Sequence, residues 1–455
     1  IRAPGSWGVI NTRPGFTDYN LGPDIGITPP INNNPFDGTG KYPVSVSFFE
    51  QRLSFGGSIN YPQTFWLTKT ADYNNMDYSR PRRADDSIEV GLAAQQVNEI
   101  RHMIPMKDLM ILTSGGAWSI KSTEDGGVLT PLSIRAVRQG GRGCSKVRPL
   151  EIGGTALFIQ DKGSRVWNLA YTFNQDKHVT ADLSILAEHL FEKYTIDDWT
   201  YAEEPYSIAW CVRSDGIMLG LTYMQDQEVW SWHQHHTDGL FKTVASIKEQ
   251  EQDAVYVCVK RFINGQKKHF IERQESRLWG KVEDSFCLDS ALSLDLGTAT
   301  TQTISNLHHL EGATVTALGD GNVIPDLLVT NGKVELAVPV SKIVIGLGYT
   351  CDVETLPIDF TSAGGTSVGR KKAINQIALR VRNTRGLSAG KSFADADQHE
   401  FKERTPSDNY SNIQEKNGLQ FLDMMVTWTD DGNMCIRQKY PLPATILGIA
   451  PEVTS

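Results

Sequence analysis

The chain has 455 residues, 40% of them hydrophobic and 21% charged, with a formal charge of -9 at pH 7. That is enough apolar material for large cores, which excludes an intrinsically disordered chain. The acidic balance excludes a sequence-independent clamp on nucleic acid, because such a clamp needs a basic footprint.

No run approaches the roughly 18 consecutive apolar residues of a membrane span, so no span is expected. A signal peptide is not expected either, since no charged segment followed by an apolar one opens the chain. Starting at Ile1 in place of Met, the chain reads as a fragment, a processed product or the ordered part of a longer protein with a domain upstream. Residues 1–41, as in GPDIGITPPINNNPFDGTG, are rich in Gly, Pro and Asn and read as an extended segment.

From Tyr42 the texture is strand-rich. SVSFFEQRLSFGG from Ser45, LMILTSGGAWSIKS from Leu109, TALFIQDKGSRVWNLAYT from Thr155, SIAWCVRSDGIMLGLTYM from Ser207 and AVYVCVKRFINGQKKHFIERQ from Ala254 share one shape. Each is an apolar run, a polar turn and a second apolar run, the signature of a β-hairpin. The second to fifth begin at Leu109, Ala156, Ile208 and Val255, which are 47, 52 and 47 residues apart. One hairpin plus extra strands at that period matches a β-propeller blade, a sheet of about four strands that buries both faces only against neighbouring sheets.

Helix is expected only at Ser87–Met103, SIEVGLAAQQVNEIRHM, and Ala181–Tyr194, ADLSILAEHLFEKY, with caps at Ser87 and Asp182. Residues 42–284 are therefore assigned to propeller blades. Residues 285–357 carry short Val, Ile and Leu runs divided by GDGN and TNGK, strong hairpin turns, and read as an inserted small β-barrel or β-sandwich. Residues 358–455 read as a return to the propeller, with a last hairpin from Phe421 and the closing ATILGIAPEV. The fold class is all-β.

Cys144, Cys211, Cys258, Cys287, Cys351 and Cys435 are far apart and form no CxxC pair, so buried free thiols in a reducing cytosol are favoured over a disulfide framework. Four groups invite a chemical reading. GTSVG, Gly365–Gly369, fits the G-x-S-x-G nucleophile elbow and nominates Ser367, but the strand-like RKKAINQIALRVRN follows where a helix is needed. WSWHQHH offers His233, His235 and His236, with His233 and His235 on one strand face, but no third metal ligand. Asp197, Asp198, Glu203 and Glu204 could supply a glycosidase's two carboxylates, although adjacency does not give the separation and no sialidase-type Asp-box repeats accompany them. The basic clusters at Arg80, Arg82 and Arg83 and at Arg370, Lys371 and Lys372 read as solvated loops or as subunit or fibre contacts. No motif calls for a cofactor or a metal.

The line KYPVSVSFFEQRLSFGGSINYPQTFWLT, followed in order by LTSGGAWSI, LTPLSI, ADLSILAEHL, SDGIMLGLTYMQDQEVWSWHQH and YPLPATILGIAPEV, resembles the tail nozzle, or tail tubular protein B, family of short-tailed bacteriophages. The resemblance extends over most of Tyr42 to Val453. It implies a propeller-containing structural virion protein, not an enzyme, forming a homohexameric ring below the portal and the tail adaptor. It further implies docking surfaces for tail fibres or spikes and a lumen through which genomic double-stranded DNA passes without tight binding. It places the protein in the virion tail, assembled in the host cytoplasm. A propeller glycoside hydrolase, or a glycan-binding module acting on a host surface polysaccharide, is the alternative.

Overall fold

The computed structural model describes residues 33–93, 96–124, 126–162, 164–362, 365–403, 413–424 and 428–454. It is all-β, and helix among these residues is confined to short 3-10 turns. The chain divides into two compact units, Ile1–Leu183 and Ser184–Ser455.

In the first unit three sheets follow one another, each of four antiparallel strands in sequence order. The first contains β1 (Ser45–Phe49), β2 (Arg52–Gly56), β3 (Thr64–Leu67) and β4 (Ile88–Gly91). The second contains β5 (Ile100–Pro105), β6 (Leu109–Thr113), β7 (Gly116–Ser122) and β8 (Ile134–Gly140). The third contains β9 (Leu150–Ile152), β10 (Thr155–Ile159), β11 (Val166–Thr172) and β12 (Lys177–Asp182).

The side-chain period of two explains the stacking. Leu109, Ile111, Trp118 and Ile120 face the first sheet, where they pack with Phe65, Leu67 and Ile88. Met110, Leu112 and Ala117 face the third, where they meet Ala156, Phe158, Trp167 and Leu169. With neighbours on both sides, LMILT is apolar at almost every position, whereas SVSFF on β1 alternates.

The hairpins expected at Ser45, Leu109 and Thr155 form as β1–β2, β6–β7 and β10–β11. Gly163, in the last turn, lies outside the described residues. The β1–β2 turn contains no glycine: Glu50 and Gln51 both take positive φ, 44° and 60°, the geometry of a two-residue turn that usually recruits Asn-Gly.

The second unit opens with a four-stranded sheet of β13 (Ile196–Ala202), β14 (Ile208–Arg213), β15 (Met218–Met224) and β16 (Val229–His235). A three-stranded one follows, made of β17 (Leu240–Glu249), β18 (Gln252–Ile263) and β19 (Gln266–Arg273). These two sheets enclose Ile208, Trp210, Val212, Met218, Phe241, Val244, Val255, Val257 and Val259.

Next comes a module with its own core. Strands β20 (Asp289–Asp295), β22 (Thr314–Gly319), β23 (Asn322–Leu328) and β25 (Lys342–Leu347) form one sheet, and β21 (Thr301–Ile304) pairs with β24 (Val334–Val340). Between them lie Ile304, Leu307, Leu310, Val315, Val329, Val334, Ile343 and Ile345. The turn at Asp320–Gly321 and the bridge at Asn331–Gly332 take the positive φ values that GDGN and TNGK suggest.

Beyond Leu347 the pairing becomes non-local. β26 (Cys351–Glu354), which the sequence reading kept inside the 285–357 module, pairs with β34 (Cys435–Gln438), which also pairs with β30 (Leu387–Gly390); β31 (Gln398–Glu400) completes that sheet. The long β29 (Lys372–Thr384) pairs with β32 (Lys416–Asp423), β33 (Trp428–Thr429) and β35 (Thr445–Thr454), and the two-residue strands β27 (Thr361–Ser362) and β28 (Gly365–Thr366) pair with each other.

Three expectations are corrected. Ser87–Met103 is not a helix: it contributes β4 and the start of β5. Ala181–Tyr194 opens on the last residues of β12, and its helical content is the 3-10 turns at Ile185–Leu190, broken at Ala187. The Phe421 segment is not a hairpin, because β32 and β34 belong to different sheets. All six cysteines are free, but only Cys144, Cys211 and Cys435 are buried and Cys351 is exposed. Burial pushes the Cys144 thiol up to about 12, so it is inert as a nucleophile.

Candidate assembly surface and polar pocket

Arg80, Arg82 and Arg83 occupy an exposed loop with a built base. The buried Asp86 carboxylate accepts the N–H of Ser79 at 2.9 Å and of Arg83 at 2.8 Å. Its carbonyl accepts from the buried Arg52 guanidinium at 2.7 Å, and Arg52 also reaches Thr68 O at 2.6 Å and Ala84 O at 2.9 Å. Burial raises the Asp86 carboxyl, but the N–H groups of Arg83 and Ser79 outweigh it and hold the group below the usual range. The Arg82 guanidinium lies 4.8 Å from the Tyr78 ring centroid, so one of the three cations is covered on one face.

The second basic cluster is split. Arg370 and Lys371 are exposed, but Lys372 is 2% exposed, with Nζ donating to Asp359 Oδ1 at 2.6 Å. It is a structural ion pair and cannot serve as a docking residue, which corrects the sequence reading.

Ser367 is buried, and its hydroxyl accepts the Phe360 N–H at 2.8 Å. It follows the short β27–β28 pair, and no helix follows it, so the elbow geometry is not formed. Asp197 and Asp198 lie near the start of β13, whereas Glu203 and Glu204 lie just past its end. At about 3.3 Å per residue the two pairs are on the order of 20 Å apart, too far for two carboxylates to flank one glycosidic bond. Asp198 instead accepts the N–H groups of Trp199 and Val244, at 3.0 and 3.1 Å. The backbone of Glu203 and Glu204 is tied by Asp253, whose Oδ2 accepts both N–H groups at 2.7 and 3.1 Å. Asp253 lies some fifty residues further on and gave no sequence signal.

His233 and His235 do share a strand face. His233 Nδ1 lies 2.7 Å from His235 Nε2, and both rings stand edge-on to the buried Trp210. Burial lowers both imidazoles, His235 to about 3, so the pair is neutral near pH 7. No group of three or more His, Cys, Asp or Glu among the described residues is placed to hold a metal ion. Near this pair, Ala202, Tyr206, Ile208, Trp210, Asp253 and Arg277 are among the residues lining a small pocket at one end of the core shared by the fourth and fifth sheets.

The first sheet presents a surface that sequence reasoning passed over. Val44, Val46 and Phe48 are each more than 60% exposed, with Tyr42 and Tyr73 also open beside them. Phe55 and Trp66 continue this face inward, where Phe36 covers them at ring distances of 4.9 and 5.4 Å. The alternation in VSVSFF already places Val44, Val46 and Phe48 on one side.

No helix among the described residues is long and apolar enough to cross a membrane. No family model matches the chain, and no curated protein does. Among solved structures it is similar to a luciferin-regenerating enzyme at 13% identity, over 49% of this chain and 85% of that one, with a TM-score of 0.20. A likeness that low carries no argument.

Proposed function

We propose that this chain is a structural virion protein, a subunit of the tail nozzle ring of a short-tailed bacteriophage. On this reading the successive sheets are blades of a β-propeller, and the 289–347 module is an insertion. Six copies of the chain form a ring that closes the DNA channel and then conducts the genome out of the virion tail. Assembly takes place in the host cytoplasm, with a tail adaptor and fibres or spikes as further partners.

The observation that carries the reading is the row Val44, Val46 and Phe48, more than 60% exposed on a sheet whose other face is packed. Contiguous exposed apolar surface of this kind marks protein contacts, and identical copies are the partner that a ring supplies. The row lies within the same KYPVSVSFFEQRLSFGG segment that carries the sequence resemblance. The formal charge of -9 per chain supports a conduit as well, because a polymer with one charge per about 1.7 Å of axis does not condense onto an acidic wall.

Negative-stain images of the purified chain, with a salt titration of duplex DNA binding, test the two halves. Annular particles and weak, weakly salt-dependent DNA binding are expected. Tight binding that collapses as salt rises would overturn the conduit, and dispersed single copies would overturn the ring.

A further inference from the structure

The fifth sheet alternates as the first one does. β18 places Val255, Val257 and Val259 against the fourth sheet, and the residues between and beyond them, Tyr256, Cys258, Lys260 and Phe262, point the other way. Register carries that outward face across the sheet, because Cys258 pairs with Ile271 on β19 and Ala254 with Ile247 on β17. Phe262 is 69% exposed, Ile271 81% and Ile247 54%, so nothing among the described residues layers over this side. The neighbouring β14, IAWCVR, is instead buried at every position.

The two bare faces differ in charge. On the fifth sheet Lys260, Lys267 and Arg273 share the outward side with Glu249, and Arg273 is paired with Glu249 at 3.0 Å, which leaves the two lysines as a surplus of positive charge. On the first sheet Val46 and Phe48 pair with Phe55 and Leu53, Phe55 with Trp66, and Trp66 with Glu89. The charged side chain among these outward strand positions is thus an exposed carboxylate. A ring of identical copies closes through a heterologous contact, in which one patch meets a different patch on the next copy. Such a chain needs two bare faces that complement each other, and here both are apolar and their charges are opposite.

We propose that the outward face of the fifth sheet is the second half of the subunit contact: Ile247, Phe262 and Ile271 of one copy pack on Val44, Val46 and Phe48 of the next, with Lys260 and Lys267 drawing in Glu89. Apolar burial supplies the attraction, and the charges disfavour pairing of two first-sheet faces, which would bring carboxylate to carboxylate. The inference rests on the ring proposed above and names the surface that its exposed row meets.

The test mixes two variants and reads their mass by light scattering over a concentration series. Val46→Asp, Phe48→Asp spoils the first-sheet face alone, and Phe262→Asp, Ile271→Asp spoils the fifth-sheet face alone. Each by itself is expected as single copies, because every contact would bury carboxylates against apolar surface. Mixed in equal amounts they should form a one-to-one pair and stop there, since each keeps the face that the other lacks. All four positions are exposed, so the fold should survive, which circular dichroism checks; Phe262→Ser, Ile271→Ser takes the place of the aspartates if they disturb the sheet. A wild-type mass of one chain would remove the ring itself. Where wild type assembles, a fifth-sheet variant that still assembles, or a mixture that stays single, would leave the ring standing and overturn this contact.

Discussion

Arg52 and Asp86 are joined through the backbone: the buried guanidinium donates to the Asp86 carbonyl at 2.7 Å, while the Asp86 carboxylate holds Ser79 and Arg83. One buried cation thus fixes the loop that presents Arg80, Arg82 and Arg83. Replacing Arg52 with Met keeps the volume but leaves the carbonyls of Thr68, Ala84 and Asp86 without this donor. A loss of about 3 kcal/mol in urea unfolding is expected, with proteolytic cutting first in the 69–87 loop. An unchanged midpoint would mean that the loop is held by other contacts.

The module at 289–347 should be removable. Asp289 and Leu347 are register partners across β20 and β25, so the cut ends lie side by side and a short Gly/Ser linker can join them. The core of the module lies within its own residues, and Arg385, which donates to Gly321 O at 2.8 Å, keeps Glu403 after excision. A soluble, cooperatively unfolding product is expected. The excision must spare β26, since Cys351–Glu354 pairs with Cys435–Gln438. Aggregation of the shorter chain would show that the module is part of the surrounding core.

Lys372 and Lys371 are adjacent and should differ. Lys372→Met leaves Asp359 without its cation and should cost about 2 kcal/mol, whereas Lys371→Met, at an exposed site, should change stability by less than about 0.5 kcal/mol. Thermal melts of the two variants decide the point, and equal melting temperatures would contradict the buried ion pair.

Stability should fall on acidification in two stages. Burial lowers His102, His178, His233 and His235, so the folded chain resists protons that the unfolded chain takes up near its ordinary value of about 6.5. Their contribution is complete above that value and declines as the pH drops below it. Asp86, held below the usual carboxylate range, is stabilising above its unfolded value and loses that contribution at still lower pH. His178 Nε2 is buried with no hydrogen-bond partner among the described residues, so His178→Phe should be neutral or stabilising near pH 7 and should flatten the decline between about pH 6.5 and 5. An unchanged pH profile in that variant would remove His178 from the account.

The hairpins were legible because a two-residue period broken by a turn is a local signal, and β6–β7, β10–β11, β14–β15 and β18–β19 pair strands adjacent in sequence. Ser87–Met103 was misread because two short strands separated by a loop place Ile88, Leu92, Ile100 and Met103 at spacings that imitate a helix. Gly91 in the middle argued against one. The pairing of β26 with β34 spans more than eighty residues and leaves no local trace. Lys372 was readable in principle, since it opens an alternating strand in step with Ile374, but a run of basic residues suggested solvent.

The most direct test of the ring is the light-scattering mass of the purified chain beside that of a Val46→Asp, Phe48→Asp variant. Wild type is predicted to elute as a closed assembly of about six copies, and the variant as single folded copies, because two carboxylates cannot be buried in an apolar contact without partners. A wild-type mass of one chain at every concentration would contradict the account. A variant that still assembles would show that the first sheet's exposed face is not the contact.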